Sequence, residues 1–264
     1  MVNETPTILA LDFDGVLCDG LIEYFQTAWR TYCQIWTPVD QIPPEGLAEQ
    51  FYRLRPVIET GWEMPILVRS LLQNIPVAKL FSDWPTIAQQ QIQAIGLTPV
   101  EIAARLDGIR DQWIAADADH WLAQHRFYPG IIARLQQMVN SGSLPFIVTT
   151  KEQRFVRQLL QQQQIELPES QIFGKEVKQP KSQTLRLLIQ KYSEDTDQSA
   201  TVWFVEDRLK TLQNITLEPD LEAVKLYLAD WGYNTETDRE IARQDPRIHL
   251  LSLAAFAQDF SAWY

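Results

Sequence analysis

The sequence predicts an α/β fold: a doubly wound parallel sheet with a helical domain inserted after its first strand. Three observations carry that prediction. Five short apolar runs have the length and β-branched content of buried strands; helical patterns alternate with the later runs; and about a hundred helix-patterned residues separate the first run from the second.

In chain order, the run at 7–11 reads as a strand that leads straight into Asp12. Helical periodicity then dominates residues 21–124, broken at Pro43, Pro44, Gly61, Pro76, Pro85 and again at 96–99. A structureless loop of that length is incompatible with a compact domain, so the stretch is expected to fold as a second domain within the first βα connection. The expected division is a core of 1–20 with 125–264, and an insert of 21–124. Trp29, Trp36, Trp62, Trp84, Trp113 and Trp121 all fall in the insert, where packing between helices accounts for most of them. Further strands are expected at 144–148, 201–205, 224–228 and 248–251, with helices at 131–140, 154–163, 183–192 and 235–244. Parallel strands joined this way require right-handed crossovers. The glutamine clusters at 89–91 and 161–164 read as solvated helix faces.

Composition narrows the functional classes. With 264 residues and 45% hydrophobic content the chain can bury one large core plus a smaller companion, and 11% aromatic residues exclude disorder. A net charge of -11 argues against nucleic acid or an anionic membrane surface as partner, while leaving room for a local basic pocket that takes a small anion. The amino end lacks the basic segment of a signal peptide, and no apolar stretch has bilayer length. Cys18 and Cys33 are too few for a disulfide scaffold and read as reduced, buried thiols of a cytoplasmic protein. His120, His125 and His249 show no zinc-site spacing.

Ligands of open α/β sheets bind beyond the carboxyl ends of the strands, and here those ends carry chemistry. The first closes in Asp12-Phe13-Asp14-Gly15-Val16-Leu17, the second in Thr149-Thr150-Lys151, the third in Glu206-Asp207; Lys178 and Lys181 flank Pro180 ahead of a helix. Asp12 and Asp14, one residue apart on extended chain, share a face, and close carboxylates ionise together only around a cation. Magnesium suits such an oxygen-only set. Either acidic pair alone could instead cap a helix or sit in a turn.

Taken in order, these motifs resemble the haloacid dehalogenase superfamily of hydrolases, in its capped, phosphoglycolate phosphatase-like form. The resemblance implies an α/β core with an inserted cap, and a phosphatase that hydrolyses a small phosphorylated metabolite through an aspartyl phosphate. Carried over residue by residue, it implies Asp12 as nucleophile and Asp14 as general acid and base. It also implies that Thr149 holds phosphoryl oxygens by its hydroxyl and backbone N–H, and that a lysine offsets their charge. Lys181 is preferred for that lysine because it directly precedes the helix; Lys178 and, behind it, Lys175 compete. Magnesium would rest on Asp12, the Asp14 backbone carbonyl and an acid of the Glu206-Asp207 pair, Asp207 by preference. One common family pattern has a second aspartate four residues after the first, a position that Thr211 occupies here; the Glu-Asp form also occurs in the family, so the metal site stands and both acids remain open as ligands. The insert is expected to carry specificity, with Arg55, Glu59, Trp62 and Glu63 of segment 53–64 either presenting a substrate loop or forming a kinked connection. A phosphomutase, a haloacid dehalogenase and a non-catalytic binding module are the alternatives on the same fold.

Overall fold

The computed structural model describes residues 5–142 and 145–263. Leu144 of the expected second strand, and residues 1–4 of the amino end, lie outside them. The chain divides into two compact units, Met1–Asp19 with Arg126–Tyr264, and Gly20–His125.

The chain opens with β1 (Ile8–Leu11) and β2 (Cys18–Asp19). Six helices follow: α1 (Leu21–Trp36), α2 (Leu47–Leu54), α3 (Glu63–Leu72), α4 (Val77–Ile95), α5 (Pro99–Ala116) and α6 (Ala118–Leu122). Next come β3 (Arg126–Phe127), α7 (Ile131–Asn140), β4 (Phe146–Val148), α8 (Gln153–Gln162), β5 (Ile172–Phe173) and α9 (Lys181–Thr196). The remainder is β6 (Val202–Glu206), α10 (Leu209–Thr216), β7 (Lys225–Ala229), α11 (Glu236–Gln244), β8 (Ile248–Leu251) and α12 (Leu253–Phe256). No helix among the described residues is long and apolar enough to cross a membrane.

In the first unit a six-stranded sheet runs β5-β4-β1-β6-β7-β8 with every pairing parallel. The expected α/β class and all five expected strands are present. β5, with two residues, is too short to give a periodic signal, as are β2 and β3. The helix α10 was not expected, although Leu209, Leu212 and Ile215 form its buried stripe.

Strand alternation explains the core. Ile8, Ala10, Val202, Phe204, Leu226 and Leu228 face one side, where α9, α10 and α11 supply Leu185, Leu188, Leu212 and Ala242. Trp203 and Tyr227 face the other, and the chain's last turn closes on them, with Trp263 centred 5.5 Å from Trp203 and 5.4 Å from Tyr227. The strand order reverses at β1: the chain goes to β4 and β5 on one flank, then returns to β6 on the other. The carboxyl ends of β1, β4 and β6 therefore adjoin at a topological switch point. β2 and β3 pair antiparallel, Cys18 opposite Phe127 and Asp19 opposite Arg126, at the two points where the chain leaves and re-enters this unit.

In the helical unit α1 packs on α3 and α5. Its buried Glu23 accepts from Thr27 Oγ1 at 2.7 Å, from Arg110 Nε of α5 at 2.8 Å and from Trp121 Nε1 of α6 at 3.2 Å, which satisfies a charge that would otherwise be costly to bury. Trp29, Trp84, Trp113 and Trp121 are buried as expected of packing residues, whereas Trp36 and Trp62 are half-buried. Pro85 does not end a helix: it lies inside α4, which kinks at Asp83. Segment 53–64 breaks helicity through a 3-10 turn at Arg55–Val57. Two of its polar side chains bond its own backbone. Glu63 accepts the N–H groups of Glu59 and Thr60, Arg55 donates to Ile58 O at 3.0 Å, and the Arg55 guanidinium lies over the Tyr24 ring.

Candidate active site

The register of β1 on β6 fixes Asp12, whose N–H continues the ladder to Val205 O at 2.9 Å. Its Oδ1 accepts the Phe13 N–H at 2.7 Å. The chain then turns tightly: Leu17 N and Cys18 N both donate to Phe13 O, and Gly15 N donates to Cys18 O. Gly15 adopts φ +86°, and a Cβ there would lie 2.2 Å from Asp207 Oδ2. Both conditions demand glycine. A Gly15→Ala variant is expected to destabilise the fold by about 1–3 kcal/mol from backbone strain and to push Asp207 aside. Thermal melting and calorimetric titration with a divalent cation check this; an unchanged melt with unchanged affinity would contradict it.

β6 ends in Glu206, and Asp207 follows it; both are buried. Protein donors engage both oxygens of Glu206: Oε1 accepts from Asp207 N at 3.1 Å and Arg208 N at 3.0 Å, while Oε2 accepts from Lys181 Nζ at 2.6 Å. Asp207 is held differently. Its Oδ2 accepts the Tyr233 N–H at 2.7 Å, its backbone carbonyl accepts Asn234 Nδ2 at 3.0 Å, and Gly232 passes so close that a Cβ would fall 2.3 Å from the Asp207 Cβ. The loop after β7 thus cradles this carboxylate.

Lys181 is the first residue of α9, and its Nζ lies 2.9 Å from Asp12 Oδ2 as well as 2.6 Å from Glu206 Oε2. Lys175 and Lys178 are exposed. Thr149 follows β4 and is buried, but its backbone N–H donates to Phe173 O at 2.9 Å. The sheet ladder therefore uses the N–H that the resemblance assigns to phosphoryl oxygens. The Thr149 hydroxyl accepts the Lys151 N–H at 3.2 Å and keeps its own proton to donate. Asp14 is not part of the group formed by Asp12, Glu206 and Asp207; Lys151 Nζ bonds its two oxygens at 3.1 and 3.3 Å.

Asp12, Glu206 and Asp207 each place a carboxylate oxygen within 4.8 Å of the others. Burial pushes the Asp12 carboxyl up to about 7, against the opposing pull of Lys181. Burial also raises Glu206, again against Lys181, and raises Asp207, where the Asp12 charge adds to the effect. For Lys181, burial opposes the charged form, but Asp12 and Glu206 outweigh it and hold the ammonium above the usual lysine range. Three buried carboxylates around one ammonium leave surplus negative charge with oxygen donors only, which fits a hard divalent cation.

No family model and no curated protein matches the sequence. Solved structures do match, over nearly the whole chain. A protein provisionally described as a phosphatase from Clostridium difficile superposes with TM-score 0.57 at 13% identity, covering 96% of this chain and 97% of its own. One provisionally described as a phosphoglycolate phosphatase from Lactobacillus delbrueckii subsp. bulgaricus gives 0.59 at 12% identity over 95% and 96%. A haloacid dehalogenase-like hydrolase, provisionally so described, from Bacteroides fragilis gives 0.53 at 17% identity over 94% and 98%. The fold is that of the haloacid dehalogenase-like hydrolases. At these identities the likeness is one of architecture.

Within this dehalogenase-like fold, the structure gathers Asp12, Lys181, Glu206 and Asp207 into one buried cluster and puts Asp14 with Lys151 beside Thr149. Sequence reasoning missed the part played by Lys151 and by the loop Trp231–Gly232–Tyr233–Asn234. Both follow strands at their carboxyl ends, so the rule that found Asp12 and Glu206 also covers them. The loop gave no signal because it meets Asp207 through the Tyr233 N–H, the close pass of Gly232 and one side-chain amide, that of Asn234, none of which forms a motif in the sequence.

Proposed function

We propose that this chain is a divalent-metal-dependent phosphatase, with magnesium as its ion, that hydrolyses a small phosphomonoester through a phosphorylated Asp12. The observation that carries the reading is the buried cluster of Asp12, Glu206 and Asp207 with Lys181, seated at the switch point of the sheet. Descriptions of fold neighbours as phosphatases and as a phosphoglycolate phosphatase support the substrate class. The charge of -11 favours a small anion held in a local pocket over a polyanion.

Asp12, Asp207 and the backbone carbonyl of Asp14 would hold the metal. Glu206, with both oxygens occupied by protein donors, instead orients Lys181. The bound ion supplies countercharge for the phosphoryl group and for the crowded acids. A carboxylate oxygen of Asp12 attacks phosphorus as the bond to the leaving oxygen breaks, and Asp14 gives that oxygen its proton. Asp14 then takes a proton from water as the water oxygen attacks phosphorus, releasing inorganic phosphate and restoring Asp12. The Lys181 ammonium and the Thr149 hydroxyl stabilise charge on the phosphoryl oxygens. The helical unit acts as a cap that recognises the remainder of the substrate and excludes water, and the reaction is that of a cytoplasmic metabolite enzyme.

The test is phosphate release from a panel of phosphomonoesters with magnesium, then with EDTA, then with magnesium restored. Turnover is expected to vanish with EDTA and return with the ion. Full turnover in metal-free buffer would overturn the metal requirement, and release from no ester would overturn the phosphatase reading. Because Asp12 in the metal-free protein ionises only near pH 7, the ion must displace a proton below that value. Its affinity is therefore expected to weaken as pH falls through about 7, which calorimetry in buffers of different ionisation enthalpy would register as proton release.

A further inference from the structure

We propose that Lys151 is a positioning residue for Asp14, holding the carboxyl group of the general acid in one orientation and apart from the metal-binding acids. This rests on the phosphatase reading above. Asp14 lies two residues after Asp12, yet its carboxylate does not join the cluster of Asp12, Glu206 and Asp207. It is turned toward Lys151, whose ammonium reaches both of its oxygens at nearly equal distances, 3.1 and 3.3 Å. Among the described residues no other side chain bonds that carboxylate.

The anchor is itself built into the fold. Lys151 N donates to Thr149 Oγ1 at 3.2 Å, and its carbonyl accepts Lys175 N at 2.9 Å, so the ends of β4 and β5 clamp its backbone. Gly174 permits that approach, since a Cβ there would lie 2.7 Å from Lys151 O. Both partners are largely withdrawn from solvent, 8% exposed for the Lys151 side chain and 17% for Asp14. Water therefore screens the pair weakly and competes little for its bonds.

A general acid must present its O–H along the line of the leaving oxygen, and a free carboxyl rotor spends little time there. An ammonium donating to one oxygen of the protonated Asp14 leaves the other as the hydroxyl, aimed away from the lysine. The proton then passes from Asp14 to the leaving oxygen, and Asp14 later recovers one from water. Lys151 keeps its own proton throughout and makes no bond to phosphorus. It acts through Asp14.

The prediction separates by leaving group. An alkoxide needs protonation as it departs, whereas 4-nitrophenolate does not. The experiment measures kcat/KM, which reports formation of the phosphorylated enzyme, for an alkyl phosphate and for 4-nitrophenyl phosphate with magnesium. The variants are Lys151→Met and Lys151→Arg, alone and combined with Asp14→Asn. Lys151→Met is expected to lose about 10²-fold on the alkyl ester, within the range of general acid catalysis, and only a few-fold on the aryl ester. Lys151→Arg should recover part of the loss, and in the Asp14→Asn background Lys151→Met should cost no more than about twofold further. Equal losses on both esters, or losses that multiply with those of Asp14→Asn, would overturn the proposal while leaving the phosphatase reading intact. A wild-type protein that turns over neither ester would remove that reading and this one with it. Should Lys151→Met fail to fold, Lys151→Gln, which stays polar but lacks the ammonium and is one bond shorter, is expected to shift the ratio in the same direction by a smaller factor.

Discussion

Asp12→Ala is expected to remove turnover of every phosphomonoester, by a factor on the order of 10⁶, the scale seen when a covalent nucleophile is deleted. The argument is positional. Asp12 is the acid that closes β1 between β4 and β6, and its Oδ2 lies 2.9 Å from the Lys181 ammonium that would meet a transferring phosphoryl group. The same change is expected to leave the metal-free protein at least as heat-stable as the wild type. It removes one of three buried like charges, while Lys181 keeps Glu206 at 2.6 Å, so the ammonium is not left unpaired. Loss of activity with an undiminished melting temperature separates a chemical role from a structural one. Turnover within tenfold of the wild type would mean that the phosphoryl group does not pass through Asp12.

The contrast between Asp12 and its neighbours also marks how far the sequence could be read. Strands with unbroken apolar runs, such as 201–205, were legible because burial on both faces leaves no other residue choice, and their polar closing residues stood out against them. β5 escaped notice because its two residues are defined by pairing with β4, a long-range fact. At the site, residue type and order pointed to Asp12, Asp14 and the Glu206-Asp207 pair. They left the lysine open among Lys175, Lys178 and Lys181, and the choice depends on the direction in which α9 starts. For the Glu206-Asp207 pair the sequence preferred Asp207 as metal ligand and left both open; the different hydrogen bonding of the two carboxylates was closed to it, since that turns on which of them the backbone N–H groups of Asp207, Arg208 and Tyr233 meet. Thr149 shows the reverse case, a residue whose hydroxyl the sequence could flag but whose N–H proves to belong to the sheet.

Excising Gly20–His125 and joining Asp19 to Arg126 is expected to leave a unit that folds and binds metal but has lost its substrate. All six strands of the parallel sheet come from outside the excised segment, as do Asp12, Asp14, Thr149, Lys151, Lys181 and Asp207. The cut ends are already neighbours. Asp19 and Arg126 stand opposite each other in the antiparallel pair of β2 and β3, and a hairpin linker of about two to four residues closes such a pair. On 4-nitrophenyl phosphate, whose leaving group needs little help, the truncated protein should retain metal-dependent turnover at a reduced rate. On the best metabolite of the intact chain, kcat/KM should fall by roughly 10²-fold or more if, as proposed, the helical unit orients the substrate and excludes water. Poor solubility alone would say nothing about specificity, so the comparison is made on soluble, metal-binding protein. If that protein hydrolysed the metabolite as well as the intact chain, recognition would lie in the sheet-bearing unit, and the helices would need another purpose.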